Sequence, residues 1–169
     1  MPNKVTVSDA ALRQAAEEGM DAFVDIFVDA INASVDGELT ADTMAQLYAS
    51  QITLLAYRIL RDEVMDGGFI QLIHNGYGGF IFLNPFAKMV KQWGIIELGR
   101  LLSKVHSNYK KYREEIEKDC TDEEFMSLFE RFPVFDDFDD TFVEHEEEWT
   151  AAIAQYIDGH IEEFAEIVN

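Results

Sequence analysis

The chain has 169 residues, 48% of them hydrophobic and 12% aromatic, enough to bury a core as one domain without disulfide or metal staples. Its 33 Asp and Glu against 13 Lys and Arg leave a net charge of −20, which repels nucleic acid and anionic membrane and attracts basic partners. One cysteine, Cys120, excludes an internal disulfide, and the absence of a run near ~20 apolar residues or of an apolar leader core predicts a soluble cytoplasmic protein.

The hydrophobic spacing predicts an all-α fold: a single-domain irregular bundle of about six to eight helices over residues 1–169. Ser8 is placed to cap a long helix to about Ala33, with Leu12, Ala15, Phe23, Phe27 and Ile31 at helical spacing. A turn follows over residues 32–37. Thr40 is placed to cap a second helix to about Val64, with Leu47, Leu55 and Leu60 inward. Gly67-Gly68 breaks the chain before a short helix from Phe69 to Asn75. Gly76 to Gly79 reads as a loop. Asn84-Pro85 resembles a cap followed by proline at the first helical position, opening a helix to about Trp93. The next helix runs from Ile95 or Ile96 to Lys118 and carries Lys104, Lys110, Lys111 and Arg113.

The remainder is where the charge collects. From Glu114 onward there are 20 acidic and 2 basic residues, a net of −18, whereas residues 1–113 carry a net of only −2. Aromatic residues from Phe125 to Phe164 run through this region, so it reads as folded, its acids lying outside packed elements. Thr121 to Glu124 fits a capping box for a helix to about Arg131. Residues 135–140 read as a connector into a last helix from Thr141 to Val168, which Gly159 kinks or divides. In that helix Phe142, Trp149, Ile153, Tyr156, His160 and Phe164 face inward. Glu144, Glu147, Glu148, Asp158, Glu162 and Glu166 face outward, with Glu146 and Glu163 on the flanks.

Like charges three or four apart cost a helix roughly 0.2–0.5 kcal/mol per pair. Read from the residues alone, such a row is either a solvated face that aids solubility or a surface for a basic partner. The Asp136-Asp137-Phe138-Asp139-Asp140 run lacks the glycine and the terminal glutamate of an EF-hand loop. The histidines show no HExxH spacing, and no P-loop, dinucleotide fingerprint or nucleophile elbow occurs. No catalytic constellation, metal site or cofactor is expected.

The residues Gly67, Gly68, Phe69, Gln71, Asn75 and Gly76, then Phe135, Asp136, Phe138, Asp139, Asp140 and Phe142, then Tyr156 and Phe164, resemble the nineteen-kilodalton DNA-mimic protein family over roughly residues 45–169. The resemblance implies an all-helical bacterial protein whose acidic surface imitates duplex DNA and occupies a transcription regulator. The expected function is therefore non-enzymatic: binding a basic DNA-binding protein and blocking its access to DNA. The alternative is an immunity or adaptor protein neutralising a basic toxin or nuclease. Asp136, Asp137, Asp139, Asp140, Glu144, Glu147, Glu148, Glu162 and Glu166 are the expected partner-binding residues. Direct binding to nucleic acid or membrane is not expected, and a second copy of the chain is a further candidate partner.

Overall fold

A computed structural model describes residues 4–169; residues 1–3 lie outside the described residues. The fold is all-α, with a single small sheet among the described residues. The described residues fall into two compact units. One contains the chain up to Leu55 together with Glu148–Asn169, and the other is Ala56–Glu147.

The first unit opens with β1 (Thr6–Ser8), followed by α1 (Asp9–Glu18) and α2 (Met20–Ser34). Ser8 caps α1 as its position predicts, accepting from the Ala11 amide at 3.1 Å. The single long helix expected to Ala33 is two helices. Gly19 sits at φ 128°, ψ 178°, a conformation that leaves the helix and suits only glycine. The second helix expected from Thr40 is also interrupted. Thr40 and Thr43 cap one another around the four-residue α3 (Ala41–Met44), and the chain restarts as α4 (Ala49–His74). The restart is stabilised by Gln51, whose Oε1 accepts from the Tyr48 amide at 2.8 Å.

In the second unit α4 passes through Gly67 (φ −143°) and Gly68 (φ 76°), so the expected break is present inside one kinked element. Then come α5 (Gly78–Phe82), α6 (Phe86–Gln92), α7 (Ile96–Glu117) and α8 (Asp122–Arg131). Gly78 and Gly79 begin a helix instead of extending the loop. A β-carbon at Gly78 would collide with the Tyr109 ring, so glycine there permits close packing on α7. Asn84 does not cap α6; its Nδ2 donates to the Phe80 carbonyl at 2.9 Å and closes α5. Thr121 caps α8 through the Glu124 amide at 3.2 Å.

The last helix, α9 (Asp136–Gly159), begins five residues before the expected Thr141. A 3-10 turn over Pro133–Phe135 delivers the chain, and three aspartates in the first turn suit the positive end of the helix dipole. The expected extension to Val168 does not occur. Beyond Gly159, His160 adopts φ −142°, a 3-10 turn covers Ile161–Glu163, and β2 (Glu166–Val168) pairs parallel with β1. Three-residue strands at opposite ends of a chain carry too little alternation to be read from sequence.

Each unit has its own apolar centre. In the first, Phe27, Ile31, Leu54, Ile153, Ile157 and Phe164 are fully buried, with Phe27 and Phe164 edge to face at 6.4 Å. In the second, Leu60, Phe69, Ile70, Leu102, Val105, Tyr109, Phe135 and Phe142 are buried, with Phe69 and Phe142 edge to face at 6.5 Å.

Candidate protein-binding surface

The period of α9 separates its apolar and acidic residues. Phe142, Trp149, Ile153 and Ile157 are buried at helical spacing. Asp136, Asp137, Asp140, Glu144, Glu147 and Glu148 are exposed. Within Ala56–Glu147, the residues Asp136, Asp140, Glu144 and Glu147 follow one another at four, four and three positions, so they share one helical stripe. Asp137 lies beside this row. Glu148 follows Glu147 on the same helix as the first α9 residue of the other unit.

Asp139 stands apart from these. It is half-buried, and its Oδ1 accepts from the Phe69 amide at 2.8 Å. The carboxylate fills the space where a Gly68 side chain would be, so any β-carbon at Gly68 would strike it. The glycine pair and the Asp-rich run, 70 positions apart, thus form one junction. Burial pushes the Asp139 carboxyl up to about 7, the Phe69 amide opposes the rise, and Asp136 and Asp140 add to it.

Glu146 is 7% exposed and pairs with Arg61 at 2.5 Å. Its place on the helix flank gave no sign of this, since the partner lies 85 positions away. Gln71 and Asn75 donate to Glu63. Gln71 Nε2 lies 2.6 Å from Glu63 Oε2, and Asn75 Nδ2 lies 3.2 Å from the same atom. These residues border a shallow concavity of about 650 Å³ together with Asp62, Met65 and Asp66.

In the other unit Glu162 and Glu166 are exposed, and Lys4 pairs with Glu166 at 3.1 Å. Glu163 has a structural position: it accepts from Ser50 Oγ at 2.6 Å and from the Tyr156 hydroxyl at 3.0 Å. Burial, followed by the hydrogen bond to Glu163, raises the Tyr156 pKa. The inward placement expected for Tyr156 and His160 is partial. Both are half-buried, their rings stacked at 4.0 Å.

A family model described as DMP19-like protein matches residues 45–160. The chain is also 33% identical over 127 residues to the DNA mimic protein DMP19 of Neisseria meningitidis serogroup B, covering 75% of this chain and 77% of that one. This chain belongs to the DMP19-like family. The DMP19-like region contains both sides of the Gly68–Asp139 junction and the whole of α9, and so most of the exposed carboxylates. Among the described residues no group of three His, Cys, Asp or Glu side chains converges as a metal ion would need. None of the described helices is long and apolar enough to cross a membrane.

Proposed function

We propose that the chain binds a basic DNA-binding protein, such as a transcription regulator, through the acidic face of α9 and blocks its binding to DNA. The observation that carries this reading is the exposed row Asp136, Asp140, Glu144 and Glu147, with Asp137 beside it. At 1.5 Å rise per residue these five carboxylates space their charges about 4 Å apart, near the roughly 3.4 Å of one DNA strand. Glu148 continues the charge along the helix. On the other unit Glu162 and Glu166 are proposed as additional contacts. Asp139 takes part by fixing the start of α9. The name of the Neisseria relative supports the same reading.

Complementary charge mainly raises the rate of encounter and selects the partner. Binding should therefore weaken steeply with salt, because exposed charges are screened over about 8 Å at physiological ionic strength. The test is capture of the partner, followed by competition between its DNA site and the wild-type or E144Q/E147Q/E148Q protein. Three exposed pairs at about 0.2–1 kcal/mol each predict an affinity loss on the order of tenfold, with DNA competing better. Equal binding of both versions, or a partner whose DNA binding neither affects, would sink the proposal and favour the neutralising immunity or adaptor reading.

A further inference from the structure

The placement of Asp139 on α9 has a consequence independent of any partner. It closes the kink in α4 by two means at once. Its Oδ1 accepts the Phe69 amide, the first N–H after the break, and its carboxyl group occupies the space left by Gly68. Gly68 holds φ 76°, so the break persists only while something supports a backbone that has left the helix.

The charges that act on Asp139, those of Asp136 and Asp140, are both negative. On its own helix Asp136 stands one turn before it and Asp140 follows it, both exposed. From α4 the facing groups are the Gly68 backbone and the Phe69 amide, neither of which ionises. Asp66, two positions before Gly68, is exposed and accepts from Gln71 Nε2 at 3.0 Å. An ionised Asp139 would thus be half-buried beside two carboxylates with one backbone donor. A protonated Asp139 keeps an oxygen for the Phe69 N–H and carries no charge to repel.

We propose that Asp139 is a proton-operated clamp: protonated, it holds the start of α9 against the Gly67-Gly68 break, and its ionisation loosens that junction. The direction follows from linkage. Asp139 binds its proton more tightly when the junction is closed, with a pKa of about 7 against an ordinary 3.8. The clamp's contribution is fully present below the ordinary value and is lost as pH rises through the closed-state value. The device stands whether or not the acidic face binds a basic protein.

The test uses the full chain with labelled aspartate carboxyl carbons, followed by NMR between pH 3 and 9 alongside amide exchange at Phe69. The Asp139 carboxyl should titrate near neutrality. After correction for the intrinsic base-catalysed rate, opening at Phe69 should rise by up to about tenfold per pH unit across the window between the two pKa values. D136N/D140N should move the Asp139 midpoint down. D139N, which keeps an acceptor oxygen but cannot ionise, should make Phe69 opening independent of pH. An Asp139 midpoint near 4, or Phe69 exchange with only the intrinsic pH dependence, overturns the clamp. These two readings come from the wild-type chain and decide the matter even if D139N does not fold.

Discussion

Glu146 lies two positions from the exposed Glu144 and one from the exposed Glu147, yet it is buried against Arg61. A helix turns each residue about 100° from the last, so adjacent acids can have opposite environments. Arg61 and Glu146 have 23% and 9% of their side-chain surface exposed, which leaves little water to compensate either charge alone. Breaking a buried pair by removing one partner's charge costs about 3–5 kcal/mol, and the residual exposure of Arg61 places this pair toward the lower end. E146Q should therefore lower stability markedly in a urea titration, whereas E144Q should change it little. Equal effects of the two would contradict the burial of Glu146. That Glu146 is acidic and helical was legible from sequence. Its burial was not, because Arg61 arrives from a distant helix.

Among the elements, α9 is the one whose packing was most legible. Phe142, Trp149 and Ile153 are expected inside and all three are buried, whereas Tyr156 on the same expected face is half-buried. The 3.6-residue period carries that information locally. Trp149 is 4% exposed, and truncating a buried Trp costs about 3–5 kcal/mol, so W149A should unfold or strongly destabilise the protein by thermal denaturation. An unchanged midpoint would exclude a core role for Trp149. The ends of α9 were less legible than its faces. Its start depends on four aspartates that read equally well as a connector, and only one of them, Asp139, finds a backbone donor on α4. Its end depends on β2 meeting β1, a pairing across 160 residues of sequence. The early helices show the same division. Ser8 and Thr40 cap where expected, whereas Gly19 and the Gln51 side chain divide what the hydrophobic pattern reads as continuous.

For the whole molecule, the net charge of −20 implies self-repulsion in the folded state. The ion pairs Arg100–Glu97 and Arg131–Glu115 have more than half of each side chain exposed, so screening them removes little stability. Added salt should therefore raise the thermal midpoint. Relief of about 1 kcal/mol corresponds to a rise of roughly 2–4 °C for a chain of this size. A midpoint that falls with salt would mean that attractive pairs outweigh the repulsion.

The sequence alone determined the all-α class, the concentration of charge after Glu114, the Gly67-Gly68 break, the inward face of α9 and the family. Each is a matter of composition, local period or motif, and none requires a distant partner. Tertiary structure decided which acids remain exposed and which are consumed inside the fold. Asp139 turns to the Phe69 amide, Glu146 to Arg61, and Glu163 to Ser50 and Tyr156. In a chain this acidic, carboxylates are locally alike. What separates them is burial and a hydrogen-bond donor brought from elsewhere in the chain, and only folding brings those donors into reach.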